Sequence, residues 1–142
     1  MWEIEGIDQD GVIWRRITTL VEDVNLPVES FATTFGDKIF QTNYVNNSVT
    51  CYTINGETLW EFNDTSVLSE PVGVAVDNNC NFYVTSYYYN KVIVLSPDGK
   101  QWRQLLDQND GLSGPYDISI DKTTNNILIT SYYGFALMFH IS

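Results

Sequence analysis

Pro71-Val72-Gly73-Val74-Ala75-Val76-Asp77 is followed, after Asn78-Asn79-Cys80, by Asn81-Phe82-Tyr83-Val84-Thr85-Ser86. Two short runs rich in Val, Phe and Tyr, separated by a polar turn, read as a pair of β-strands. Further along lie a Tyr-rich loop, the run Lys91–Ser96, the turn Pro97-Asp98-Gly99 and the run Trp102–Leu106. Asp-Gly between such runs is a strong hairpin signal, so the stretch reads as four short strands joined by turns. Val92-Ile93-Val94-Leu95 is apolar without alternation, the texture of a strand buried on both faces.

The same unit recurs on both sides. Pro27, Pro71 and Pro115 are 44 residues apart, and the turn glycines Gly11, Gly56 and Gly99 are 45 and 43 apart. Thr42-Asn43-Tyr44 is echoed by Thr85-Ser86-Tyr87 and Thr130-Ser131-Tyr132, at 43 and 45. A four-stranded unit of about 44 residues is the signature of a β-propeller blade. The other expected strands are Trp2–Ile7, Val12–Thr18, Val28–Thr33, Lys38–Thr42, Val49–Ile54, Leu59–Phe62, Tyr116–Asp121, Ile127–Ser131 and Phe135–Ile141. The expected fold is therefore all-β, a propeller segment with an incomplete ring. Residues 1–142 form one segment: a partial blade over 1–19 and repeats over about 20–62, 63–106 and 107–142. This is a little over three blades, whereas closed rings have roughly four to eight. The chain reads as a fragment of a longer propeller, because twice thirteen strands would not divide into four-stranded blades. The open blade edges also offer a route to self-association.

Composition narrows the function. With 142 residues, 44% hydrophobic and 14% aromatic, the chain is no disordered tail. Its 18 acidic and 7 basic residues leave a net charge of −11, which opposes nucleic-acid binding and attachment to anionic membranes. No apolar run approaches the roughly 20 residues of a transmembrane helix, and Glu3, Glu5, Asp8 and Asp10 rule out reading the start as a secretory signal. A cytoplasmic chain is expected. Cys51 and Cys80 do not make a disulfide framework.

Catalytic constellations are sparse. His140, the one histidine, lies among Leu137, Met138, Phe139 and Ile141 and reads as a structural strand-end residue. Asp77 and Asp121 each end a blade's first strand; they could hold Ca²⁺ or do acid–base work, but Asp at a strand end commonly opens a turn with its own side chain. A third acid, Asp117, has Gly73 and Glu29 at the equivalent places. No serine has a histidine partner in a readable motif, and Trp14, Trp60 and Trp102 read as packing between blades. No catalytic residue, metal or cofactor is expected; the alternative is a Ca²⁺-dependent propeller hydrolase or lyase, or a small-ligand binder.

The loops between second and third strands should share one face with the linkers between blades. That face would gather Tyr44, Asn46, Tyr87, Tyr88, Tyr89, Asn90, Asp110, Tyr116, Tyr132 and Tyr133, with Glu22, Asp23, Asp64, Glu70 and Asp107 adding charge. Tyrosine is enriched at interfaces because a rigid ring with a hydroxyl supplies contact area at small entropy cost. Tyr44, Tyr87 and Tyr132 repeat in register and suit packing between blades; Tyr88, Tyr89 and Tyr133 suit exposure. The expected partner is a protein bound through this acidic, Tyr-rich face.

Pro71–Asp77, Asn81–Ser86, Val92–Leu95 and Asp98-Gly99, with Trp102–Leu106, Asp110-Gly111-Leu112 and Pro115 in the closing unit, resemble NHL repeats. The chain is similar to the C-terminal propeller of tripartite-motif proteins, in which a RING, B-boxes and a coiled coil precede six NHL blades. That resemblance implies substrate recruitment for a ubiquitin ligase, with the ligase activity in a longer parent. The Asn-His-Leu triplet is absent, Asn90-Lys91-Val92 keeping only its Asn, and Ser86 and Ser131 stand where the family often has an acid. The basic face through which some members bind RNA has no counterpart here.

Overall fold

Short turns close the strands into antiparallel sheets. A computed structural model of the chain describes residues 31–141, together with the backbone of strands β1 (Trp2–Ile7) and β2 (Ile13–Ile17), which pair with each other. The first full sheet runs β3 (Ala32–Phe35), β4 (Lys38–Asn43), β5 (Ser48–Thr53) and β6 (Thr58–Phe62), in that order. The middle sheet repeats the meander with β7 (Pro71–Val76), β8 (Phe82–Ser86), β9 (Lys91–Leu95) and β10 (Trp102–Leu106). The last has three strands, β11 (Pro115–Asp121), β12 (Asn126–Ser131) and β13 (Ala136–His140). The inner strands β3, β7 and β11 pack side by side, and the architecture is an all-β open ring of propeller blades.

Two local details depart from the sequence expectation. The first inner strand occupies Ala32–Phe35 rather than Val28–Thr33, because Gly36, at φ +60°, turns the chain so that Phe35 pairs with Lys38. Pro27 and Val28 lie outside the described residues. Between β10 and β11 a single 3₁₀ turn, Gln108–Asp110, is held by a capping box in which Asp107 and Asp110 accept each other's backbone N–H. Among the described residues no helix is long and apolar enough to cross a membrane.

Strands β7, β8 and β9 of the middle sheet are buried on both sides, which explains their unbroken apolar runs. Val74, Val76, Phe82, Val84, Ile93 and Leu95 face the first sheet's Phe40, Val49 and Cys51. Their sequence neighbours Ala75, Tyr83, Val92 and Val94 face Ile118, Ile127 and Ile129 of the last sheet. Phe40 and Phe82 meet with ring centroids 4.0 Å apart, while Trp60 donates Nε1–H to Pro97 O at 3.0 Å, spanning the first two sheets as expected of an inter-blade tryptophan. Trp102 departs from that expectation and is 47% exposed; the Trp14 side chain is outside the described residues. Cys51 and Cys80 are free thiols, and burial pushes Cys51 up to about 11.

The repeated threonine explains how the blades hold together. Thr42 Oγ1 donates to Val72 O at 2.6 Å, and Thr85 Oγ1 donates to Tyr116 O at 2.9 Å. Each acceptor is the residue after the next blade's proline. Thr85 Oγ1 also accepts from Gly73 N at 2.8 Å, where the β7–β8 register slips between Pro71 and Val74. One hydroxyl thus satisfies a donor freed by the irregularity and an acceptor on the neighbouring blade. The inner strands come so close there that a Cβ on Gly73 would lie 2.6 Å from Tyr116 O. In the last sheet the equivalent residues are Asp117 and Thr130, both exposed. Its outer side carries Ser119, Leu128 and Met138 in one row, where the middle sheet buries Ala75, Tyr83 and Val94; Met138 is 67% exposed.

Replacing Thr85 with Val should leave Gly73 N–H and Tyr116 C=O without this partner and cost about 1–3 kcal/mol. Thr130→Val, on an exposed threonine, should stay within about 0.5 kcal/mol. Chemical denaturation of the two variants checks this; equal losses would show that the cross-blade bond is not the source. Gly73→Ala should also destabilise, by about 1–3 kcal/mol, since backbone must move to admit the methyl group.

Candidate ligand-binding face

Asparagine in the left-handed conformation builds the turns on one face. Asn47 and Asn90, at φ 52° and 53°, end the β4–β5 and β8–β9 turns. Short polar side chains tolerate this region better than most L-residues. Asn47 Oδ1 accepts from Glu70 N at 2.7 Å, and Asn90 Oδ1 accepts from Gly114 N at 2.8 Å. Both turns are therefore tied to the linker leading into the next blade. The serines after the threonine add a second tie: Ser86 Oγ donates to Ser69 O at 2.8 Å and Ser131 Oγ to Ser113 O at 2.6 Å. Turns and linkers share a face because these bonds sew them together.

Within that frame the predicted residues divide. Tyr44, Tyr87, Tyr116 and Tyr132 line a cavity of about 160 Å³. Tyr132 contacts Tyr87 at 5.9 Å, Tyr116 at 5.7 Å and Tyr133 at 5.8 Å between ring centroids. Phe31, absent from the sequence expectation, extends the cluster by meeting Tyr116 edge-on at 5.5 Å; its residue type is common in cores and nothing in its spacing marks it. Tyr132 and Tyr133 are 64% and 65% exposed. Tyr88, 68% exposed, packs against Tyr89, whose hydroxyl donates to Thr65 O at 2.8 Å and whose ring lies under Lys91 Nζ. Asn46 is an exposed turn residue whose N–H is taken by Asn43 Oδ1. Asn90 and Asp110 are engaged in the linker tie and the capping box. Of the added acids, Asp64 caps its own turn through Ser66 and Asp107 caps the 3₁₀ turn; Glu22 and Asp23 lie outside the described residues.

The carboxylates considered for chemistry are occupied elsewhere. Asp77 accepts from Asn79 N, Asn81 N, Asn81 Nδ2 and the Tyr83 hydroxyl, at 2.8–3.0 Å. Partial burial works to raise its carboxyl, but these hydrogen bonds outweigh burial and hold it below the ordinary range. Asp121 accepts from Thr123 N and is likewise held down, chiefly by that bond. Both are the turn-opening aspartates the sequence indicates. Asp117 is exposed and accepts from Ile118 N. His140 is exposed, its Nδ1 3.1 Å from Asn126 Oδ1. Among the described residues, no three His, Cys, Asp or Glu side chains gather as metal ligands would.

Three tyrosines are raised from the ordinary value near 10, Tyr52 chiefly by burial. The hydrogen bond Tyr87 shares with Tyr133, followed by burial and the neighbouring phenols, pushes Tyr87 up to about 12. Burial, then the Asp77 carboxylate, does the same to Tyr83. At Tyr83 and Tyr87 the fold thus favours the protonated phenol. The stability they contribute is full below about pH 10 and declines as pH rises through about 12. Ultraviolet titration should place Tyr83 and Tyr87 among the late tyrosines, and Tyr133→Phe should return Tyr87 towards 10 while leaving Tyr83 late. An unchanged titration in that variant would remove the Tyr87–Tyr133 bond as the cause.

No protein-family model matches the chain, and no curated protein matches it. Solved structures do. The nidogen/laminin complex is similar over 73% of this chain and 40% of that one, at 22% identity and TM-score 0.64. Virginiamycin B lyase of Staphylococcus aureus is similar over 95% of this chain and 47% of that one, at 20% identity and TM-score 0.61. Hydrazine synthase of Kuenenia stuttgartiensis is similar over 68% and 26%, at 19% identity and TM-score 0.57. At such identities the likeness is one of fold, and the fold is β-propeller-like. The chain spans less than half the length of each of these structures.

Proposed function

We propose that the chain is a non-catalytic protein-interaction module of NHL type, which works in the cytoplasm and recruits a partner through its tyrosine-rich face. On this reading a longer parent similar to tripartite-motif ubiquitin ligases would use it to select substrates. The observation that carries the proposal is the pairing of exposed rings with turns hydrogen-bonded to the linkers. Tyr88, Tyr132 and Tyr133 stand well out of the surface, on loops bound to the linkers by Asn90, Ser86 and Ser131. Rings held in advance of binding lose little entropy when a partner covers them. The net charge of −11 favours a partner with a basic or mixed patch and quickens the encounter at low salt. The nidogen structure shows the same fold in a complex with another protein, which supports the reading by analogy. A Ca²⁺-dependent hydrolase or lyase is less well supported, since Asp77 and Asp121 serve turns and tyrosines, not carboxylates, converge on the loop face.

Tyr88 is the cleanest probe, being the most exposed ring and outside the cavity. Quantitative capture from cytosolic extract should lose the bound partner about tenfold or more with Tyr88→Ala, equivalent to about 1.4 kcal/mol or more. The melting temperature should not move. Retention of the same proteins in the same amounts would overturn this use of the face.

A further inference from the structure

Four rings from three blades surround one small space. Tyr44 comes from the β4–β5 turn, Tyr87 from the β8–β9 turn, Tyr116 from β11 and Tyr132 from the β12–β13 turn. Tyr87 and Tyr132 are inclined at 83°, and Tyr116 and Tyr132 at 47°. Rings so inclined form walls instead of a stack. At about 160 Å³ the space is smaller than the roughly 300–1,000 Å³ of pockets for drug-sized ligands, so it takes a single compact group.

The walls select the chemistry of that group. An aromatic ring carries negative potential on its face and attracts a cation within about 6 Å of its centroid. The four lining residues include no carboxylate. A primary ammonium or guanidinium entering there would exchange water for neutral phenol oxygens, with no carboxylate among the lining residues to balance its N–H donors, and imperfectly paired donors are costly. A cation with no N–H group forfeits no hydrogen bonds. The surplus of negative charge on the chain adds a long-range attraction of the same sign.

We propose that the cavity bounded by Tyr44, Tyr87, Tyr116 and Tyr132 is a binding site for a quaternary ammonium group. The group is either a free choline-like molecule or the head of a trimethylated lysine. The first source stands on the cavity alone; the second also rests on the interaction reading given above.

The test uses the whole chain and choline chloride, titrated by NMR at constant ionic strength. Its neutral carbon isostere, 3,3-dimethylbutan-1-ol, serves as the control. Choline should saturate in the millimolar range, with the isostere at least about tenfold weaker, the tenfold corresponding to about 1.4 kcal/mol of cation–ring attraction. Tyr132→Phe should keep choline binding and Tyr132→Leu should lose it about tenfold. Tyr132 is largely exposed, and the wild-type isostere comparison decides the matter even if the leucine variant misfolds. Equal binding of choline and isostere, or a choline response that never saturates, would overturn the assignment. A short peptide carrying trimethyllysine distinguishes the sources: tighter than choline points to a partner-borne group, equal or weaker to the free molecule. Where the methylated peptide binds as tightly as choline or more so, the unmethylated one should bind about tenfold less well, and equal affinity there would also overturn the assignment. Tyr88→Ala should leave choline binding unchanged, so failure of the cavity and failure of the interaction face give different results.

Discussion

The hydroxyl of Thr85 sits between two blades, accepting from Gly73 N and donating to Tyr116 O, and the stacking of the sheets depends on bonds of this kind. Inner strands of adjacent blades run close together but belong to separate hydrogen-bonded sheets. Backbone groups on the shared side need partners, because buried polar groups left unpaired are costly. A side chain with one donor and two acceptor sites on a short stem can bridge the gap where another main chain cannot. Thr42 makes the same cross-blade donation to Val72 O. Gly73 is the complement of this contact, since any Cβ there would strike Tyr116 O.

The clasp also determines what the loop face can be. In the first two described blades it lies near the end of the second strand, so the residues that follow are fixed in position relative to the neighbouring blade. Ser86 ties to its linker directly after it, as Ser131 does after the exposed Thr130, and Tyr87 and Tyr132 come next in the chain. Those tyrosines are thereby carried to the join between blades, where they meet Tyr116 and enclose a space. Aspartates gather instead at the far ends of the inner strands, where Asp77 and Asp121 close turns. Aromatic recognition and turn-forming carboxylates are thus separated along the same strands.

Much of this was legible in the chain because turn chemistry and apolar runs act locally. The Asp77 and Asp121 turns followed from an acid at the end of a blade's first strand. The unbroken run Val92–Leu95 indicated burial on both faces, which the two core clusters supply. Less legible was Phe31, whose contact with Tyr116 spans far-apart segments. Asn90 looked like a loop residue facing outward, yet its side chain holds Gly114 N. Trp102 follows its turn glycine by three residues and Trp60 by four, yet Trp60 meets a neighbouring blade's Pro97 while Trp102 is half exposed; local spacing carries no information about which side has a neighbour.

The blade is written locally in the chain. Its period, its strand runs and its hairpin turns are encoded within about 44 residues, over which each signal acts on adjacent backbone. Tertiary structure decided which repeated residues serve the scaffold and which remain available for binding. Tyr87 and Tyr132 occupy the same position in the repeat, yet Tyr87 is partly covered and Tyr132 is largely exposed. The repeat assigns both the same residue, and the difference comes from the contacts around each ring in three dimensions.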